Sequence, residues 1–327
     1  MDINIVEELF DKQHISKDEL NALRKKQEEP VSVYWDVTSL LYLGILLLTT
    51  GLGIIVYKNI DSIGHAVIIA VISIACIACF GYCLNKATGF STTKVESPGF
   101  LFDYILLLGC LLLLILTGYL QFAYRIFGDH LGMATFIPMV ILFATAYYFD
   151  HLGVLTLAIT NLAAWAGIAV APLQFLEDND FTSQRLIYTG ILLGAALVAF
   201  SIVSQARNVK AHFAFTYKNF GANILFIALL AAMFHFTQFY LLWLIALSVV
   251  CAWFIRDALK LNSFYFFVIT VLYGYIAICY VVVDLLIKIG GDTGVLYLGL
   301  IYFIASGIAL IKLLLHYNKI IKHNAGI

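Results

Sequence analysis

The sequence predicts an all-α fold, namely a polytopic integral membrane protein with about ten transmembrane helices, and three observations support this fold class. The first is composition: 62% of the 327 residues are hydrophobic and only 12% are charged, whereas soluble chains have about 45–50% apolar and about 25% charged residues. The second is a series of apolar stretches long enough to cross a bilayer. The third is the uneven distribution of Lys and Arg among the loops.

The N-terminal leader, residues 1–32, is polar and is expected to form a cytosolic helical hairpin. Its "ISKDEL" stretch has the pattern of a capping box, with Ser16 as the N-cap and Glu19 reaching back. An apolar helix face precedes this box, formed by Ile5, Val6, Leu9 and Phe10. A hairpin this short cannot build its own core, so we expect it to dock on the membrane domain or on a cytosolic protein partner.

Ten apolar stretches in residues 33–316 have the length of a transmembrane helix. The first five are Thr38–Tyr57, Ile63–Cys83, Asp103–Tyr124, Met133–Phe149 and Leu152–Val170. The second five are Leu186–Gln205, Phe220–Phe236, Phe239–Ile255, Ser263–Ile287 and Gly294–His316. The junctions at Asp150-His151 and Thr237-Gln238 are very short, but each combined run is too long for one crossing. Residues 317–327 are expected to form a cytosolic tail.

The positive charges give the orientation. If successive loops alternate between the two faces, 15 of the 19 Lys and Arg residues lie on the face that carries the N-terminus. The other face holds only Lys58, Arg125, Arg185 and Lys288. This positive-inside bias predicts that both termini are cytoplasmic. The leader itself carries a net negative charge, so a nucleic-acid partner is not expected.

Two stretches of the membrane domain resemble each other. "LLYLGILL" at Leu40–Leu47 and "LIYTGILL" at Leu186–Leu193 are identical at six of eight positions, and they begin the first and sixth spans. A 5+5 inverted repeat would produce this placement. A chance match between two Leu-rich stretches is the alternative, since the second and seventh spans align poorly.

The leader "EELFDKQHISKDELNALRKK", followed by "LLYLGILLLTTGLGIIVYKNIDSIG", resembles the bacterial predicted membrane protein family catalogued as domain of unknown function 2157. The resemblance covers roughly residues 1–80. It implies a bacterial cytoplasmic membrane protein. The family has no established activity, so the resemblance assigns no catalytic or binding residue.

Candidate substrate-binding residues lie in the fourth and fifth spans. Asn161 is at the centre of the fifth span, with Thr160 before it and Trp165 one turn later. Asn161 is a candidate ligand for a neutral solute, and the alternative is a hydrogen bond that packs two helices together. Pro138 in the fourth span removes a backbone donor and frees a carbonyl that can line a cavity.

Ionisable residues concentrate near the ends of the spans. Asp284 and Lys288 are spaced i, i+4, which predicts an interfacial ion pair, with a gate or ion site as the alternative. Because no carboxylate is found near mid-span, a transported solute would be neutral or lipophilic.

The tetrapeptide Asp-His-Leu-Gly occurs twice, and the copies flank the fourth span. Asp129 and Asp150 are 21 residues apart, or about 31 Å along a helix, close to the hydrocarbon thickness of a bilayer. We therefore expect Asp129-His130 and Asp150-His151 to mark opposite membrane interfaces, with Asp150 capping the fifth span.

No catalytic motif indicates an enzyme. The six cysteines all lie in apolar runs, which favours packing over disulfides or a metal centre, and no cofactor is expected. The leading functional hypothesis is a small-solute transporter or permease embedded in the lipid bilayer. The alternative is a membrane sensor or a regulatory or scaffold subunit that acts through its leader. The oligomeric state stays open.

Overall fold

The computed structural model describes residues 34–58, 64–87, 89–128, 130–170, 183–290 and 293–324. Ten helices in these ranges are long and apolar enough to cross a membrane, and no strand occurs there, which confirms the predicted fold class. The helices are α1 (Tyr34–Lys58), α2 (His65–Lys86), α3 (Phe100–Tyr124), α4 (Leu131–Phe149), α5 (Leu152–Val170), α6 (Gln184–Ala206), α7 (Ala214–His235), α8 (Tyr240–Lys260), α9 (Phe264–Ile289) and α10 (Thr293–Asn324).

The chain separates into two units, Met1–Ile63 and Gly64–Ile327. Helix α1 is the described part of the first unit, and the predicted leader hairpin lies outside the described residues. Most of the apolar side chains of α1 are exposed. Thr49 satisfies its hydroxyl within α1 by donating to the carbonyls of Ile45 and Leu46.

Both short junctions interrupt the helices where the sequence predicted. Asp150 adopts a left-handed backbone conformation (φ 58°) that ends α4, and α5 begins two residues later. A short 3₁₀ turn, Thr237–Phe239, joins α7 to α8. Two other boundaries differ from the prediction. Helix α7 begins at Ala214 because its polar first turns have partners on α8 and α9, and α10 continues through most of the predicted tail.

The centre of the second unit is the contact between α6 and α7. A Cβ atom at Gly194 would lie 2.6 Å from the backbone nitrogen of Leu225, and one at Gly221 would lie 2.8 Å from that of Val198. These two glycines therefore allow the helix backbones to touch, as small residues do in membrane helix pairs. Helix α7 is the most buried of the ten helices.

A second contact region joins α2, α3, α4 and α5 to α6 and α7. It contains Leu106 and Cys110 from α3, Leu142 from α4 and Ile159 from α5, all of which are fully buried. Helices α8 and α9 also pack against α7, and α10 packs against α9. The loops α2–α3, α4–α5 and α6–α7 emerge on one face, which we call the loop face.

Candidate functional site

A buried ionic cluster on the loop face is centred on Asp150. Its carboxylate accepts hydrogen bonds from Lys210 Nζ at 2.9 Å, from His212 Nε2 at 2.6 Å and from the backbone N–H of Val95 at 2.5 Å. The side chains of Asp150 and Lys210 are 1% and 0% exposed. The left-handed turn at Asp150 places the carboxylate at this meeting point.

This cluster joins three loops. Val95 belongs to the α2–α3 loop, Asp150 to the α4–α5 junction and Lys210 to the α6–α7 loop. Lys210 also donates its backbone N–H to the carbonyl of Thr92 at 2.8 Å. Its ammonium group lies 5.7 Å from the centre of the Phe90 ring. One carboxylate and one ammonium group thus hold loops that are more than 50 residues apart in sequence.

Asp150 is ionised at neutral pH. Burial alone would raise the pKa of Asp150, but hydrogen bonds from Lys210, Val95 and His212, together with the charge of His212, outweigh burial and lower its pKa below the usual range. The buried charges are therefore paired and hydrogen-bonded, which is the condition under which proteins tolerate buried ions.

The next residue, His151, caps helix α5. Its Nδ1 atom accepts the backbone N–H of Val154 at 3.1 Å, and its side chain is only 6% exposed. Its Nε2 atom lies 3.8 Å from Asp103 Oδ1, and this oxygen also accepts the hydroxyl of Ser97 at 2.7 Å. The prediction that Asp150 caps the fifth span is wrong, because its carboxylate is bonded to the other loops and His151 makes the cap.

A second group of polar contacts leads from the loop face into the membrane. Lys218 on α7 forms a salt bridge with Asp257 on α8. Its ammonium group also lies 4.8 Å from the centre of the Phe266 ring. This ion pair neutralises the charge of Lys218 near the start of α7, at the point where α7, α8 and α9 meet.

Four uncharged side chains continue inward from this ion pair, and we call them the polar track. Asn219 accepts the hydroxyl of Tyr265 at 2.7 Å, and Asn223 accepts the hydroxyl of Tyr273 at 3.0 Å. The amide of Asn223 donates to Asn219, which joins the two steps. Asn223 and Tyr273 each lie nine residues from the loop-face end of their helix, or about 14 Å along the helix axis.

Sequence reasoning missed the polar track. The predicted seventh span began at Phe220, so Asn219 was assigned to a loop, and Asn223 was one polar residue in an apolar run. The spacing contained a signal, since Asn219 and Asn223 lie one turn apart and Tyr265 and Tyr273 are separated by about two turns, so each pair shares a helix face.

The structure pairs Asn161 with α4. The amide Nδ2 of Asn161 donates to the carbonyl of Thr135 at 2.7 Å, three residues before Pro138, in the turn where the proline removes a backbone donor. Thr160 donates to Thr156 within its own helix. Trp165 packs against Phe136 with ring centres 5.4 Å apart. Asn161 and the proline turn therefore lie together, and the bond has the geometry of a helix-packing contact.

The remaining candidate residues lie near helix ends. Asp284 and Lys288 form an ion pair of 2.6 Å on α9, and the Lys288 side chain is 64% exposed. His130 precedes α4 and lines an open hollow of about 320 Å³ with Trp165. Asp129 lies outside the described residues.

The cysteines help helices to pack. Cys83 and Cys110 are fully buried, and all six thiols are free. A Cβ atom at Gly109 would lie 3.0 Å from Cys79 Cβ, so small residues bring α2 and α3 together. Within the described ranges, no group of three or more His, Cys, Asp or Glu residues could hold a metal ion.

These features define a multi-pass α-helical membrane protein with a buried ionic cluster on one face. Residues 7–155 match the model of a family described as predicted membrane protein (DUF2157), which confirms the resemblance seen in the sequence. The match contains Asp103, Asp150 and His151, whereas Lys210 and the polar track lie beyond it. No curated protein and no solved structure shows significant similarity to the chain.

Proposed function

We propose that the protein is a carrier or permease for a small neutral solute. The supporting observation is the polar track, which carries uncharged hydrogen-bonding groups inward from the loop face as far as Asn223 and Tyr273. Polar groups inside a bilayer are costly and commonly mark a solute pathway. Asn and Tyr side chains offer both donors and acceptors to a neutral solute without a net charge.

The ion pair at the start of the track fits the same solute class. Lys218 and Asp257 neutralise each other, so this ion pair adds no net charge that would attract or repel an ion. Of the two solute classes that the sequence left open, a neutral polar solute fits the track better than a lipophilic one.

Flux measurements test this proposal. The purified full-length protein would be reconstituted into proteoliposomes, and the entry of glycerol, urea and erythritol would be followed by stopped-flow light scattering. We expect faster entry of at least one probe than in protein-free liposomes. The double variant Asn223→Leu, Tyr273→Phe should reduce that rate about tenfold, equivalent to about 1.4 kcal/mol.

Ser248→Ala is the matched control, because Ser248 is exposed on α8 and bonds only to the carbonyl of Leu244 in its own helix. Its flux should equal that of the unmodified protein. Entry rates at the protein-free level for all three probes, or an unchanged rate in a stably folded double variant, would contradict the proposal.

A sensor or regulatory subunit that acts through the leader is the second candidate, and the leader lies largely within the family match, which begins at residue 7. Deletion of residues 1–30 separates the two functions. A carrier keeps its flux after the deletion. A regulator loses its cytosolic partner in a pull-down, while its membrane domain stays folded.

We place the protein in a bacterial cytoplasmic membrane with both termini inside. The family match supports a membrane protein, and the positive-inside bias supports the orientation of the termini. On that orientation the loop face, with its ionic cluster, faces the cytosol.

A further inference from the structure

We propose that His151 is a proton-binding site that senses acidification at the loop face by exchanging its cap on helix α5 for an ion pair with Asp103. This inference goes beyond the transport proposal and does not depend on it. It assigns a ligand, the proton, to the buried ring of His151. One ring nitrogen faces a hydrogen-bond donor, the backbone N–H of Val154, and the other faces an acceptor, the carboxylate of Asp103.

The arrangement in the structure requires a neutral His151. The backbone N–H of Val154 donates to Nδ1 at 3.1 Å, so Nδ1 must carry a lone pair and no hydrogen. Val154 is the third residue of α5, and a side-chain acceptor at this place is what an N-cap supplies. The neutral ring therefore stabilises the first turn of α5.

A proton on Nδ1 makes this arrangement untenable. Two N–H groups, one from the ring and one from Val154, would then point at each other. The positive charge would also lie at the N-terminal end of a helix, where the backbone dipole disfavours cations. The protonated ring must therefore move away from the backbone N–H of Val154 to separate these two donors.

Asp103 is the carboxylate to which the charged ring would move. It lies on α3 with Oδ1 3.8 Å from His151 Nε2, beyond hydrogen-bond distance in the neutral arrangement. Burial lowers the pKa of His151, and the negative charge of Asp103 opposes this. The neighbouring Asp150 is already bonded to Lys210 and His212, so Asp103 is the partner that remains for a charged His151.

The α2–α3 loop transmits the change. Ser97 in this loop donates to the same Asp103 oxygen that a charged His151 would approach. Val95 in the same loop is held by Asp150, whose pKa is lowered. Acidification therefore alters one attachment of the loop while leaving the other in place, so the loop can shift without detaching.

The direction of the pH effect follows from proton linkage. Because burial lowers the pKa of His151 in the folded protein, the unfolded chain binds this proton more readily. The stability contributed by His151 is complete above its unfolded value of about 6.5 and declines as pH falls below it. The protonated form gives up the cap, and at pH values above the midpoint its population rises about tenfold for each unit by which pH falls.

Hydrogen–deuterium exchange of the full-length protein in detergent micelles tests the proposal. Exchange rates at Val154 and at residues 89–99 would be measured from about pH 7.5 to about pH 4.5 and corrected for the intrinsic pH dependence of exchange. We expect protection at Val154 to fall by at least about tenfold over this range. Constant protection at Val154 in the unmodified protein would overturn the proposal without any variant.

Three substitutions separate the proton site from general acid sensitivity. His151→Asn keeps a good N-cap that cannot be protonated, so its protection should not depend on pH. Asp103→Asn removes the attracting charge and should move the midpoint to lower pH. His235→Asn, an exposed histidine at the far end of α7, is the control and should behave as the unmodified protein. An equal loss of protection in His151→Asn, or an unmoved midpoint in Asp103→Asn, would overturn the assignment.

Discussion

At the scale of single residues, Asp150 shows how one carboxylate can organise a surface. Its charge is needed to balance Lys210, which is fully buried, and its geometry is needed to hold Val95 and His212. An ion pair of this kind adds little net stability compared with an apolar pair, but it is costly to break on one side only. Its value lies in fixing which loops meet.

This asymmetry predicts the effect of Asp150→Asn. The substitution leaves Lys210 charged and buried without a counter-ion, so we expect the free energy of unfolding to fall by about 3–5 kcal/mol. Thermal unfolding in detergent, followed by intrinsic fluorescence, measures the change. The double variant Asp150→Asn, Lys210→Met removes both charges and should recover a large part of the loss.

Asp284→Asn is the matched control for that experiment. It breaks an ion pair of similar length, but Lys288 is 64% exposed, so the stability should change little. Equal effects of the two single substitutions would show that burial of the Asp150 pair is not what makes it important.

The sequence located Asp150 and His151 at a membrane interface but did not reveal their partners. Lys210 and His212 follow about 60 residues later in another loop, and only the packing of α4, α5, α6 and α7 brings these loops together. Face assignment from positive charges placed all these loops on one side. It could not predict which residues on that side contact one another.

At the scale of helices, hydropathy predicted the number of spans but placed some boundaries wrongly. Hydropathy measures whether a stretch is apolar enough to lie in lipid. A polar residue at the end of such a stretch is therefore assigned to the adjoining loop. Lys218 and Asn219 can lie within α7 because Asp257 neutralises the charge of Lys218 and Tyr265 donates a hydrogen bond to Asn219. A boundary that depends on a tertiary partner cannot be read from a single stretch of sequence.

The contact between α6 and α7 predicts a strong effect of a single methyl group. In Gly194→Ala the new Cβ would lie 2.6 Å from a backbone atom of Leu225, which cannot move aside as a flexible side chain does. We expect a loss of stability of about 1–3 kcal/mol from overpacking. The same thermal unfolding assay measures it.

Gly118→Ala on α3 is the comparison, because nothing lies within 4 Å of the new Cβ atom there. That variant should be as stable as the unmodified protein, or slightly more stable because alanine favours a helix. A similar loss in both variants would attribute the effect to helix glycines in general rather than to the α6–α7 contact.

At the scale of the whole molecule, the physical basis of the fold and that of the site differ. Transfer of apolar residues into lipid depends on local composition, so about ten helices could be predicted from the chain alone. The polar track and the ionic cluster depend on contacts between distant segments, and the candidate chosen from sequence, Asn161, proved to bond the backbone of α4. The similarity of the first and sixth spans stays a prediction of an inverted repeat.

The ionic cluster makes the membrane topology testable with single cysteines. Lys94 and Arg207 lie in the two loops that Asp150 joins, and both are exposed. They should therefore lie on one side of the membrane, the cytosolic side, while Arg125 and Lys288 lie on the other. In intact cells, a membrane-impermeant maleimide should modify Arg125→Cys and Lys288→Cys but should modify Lys94→Cys and Arg207→Cys only after permeabilisation.

The unmodified chain, whose six cysteines lie within helices, gives the background. Modification of Lys94→Cys and Arg207→Cys from opposite sides would contradict both the charge-based orientation and the joining of these loops by Asp150.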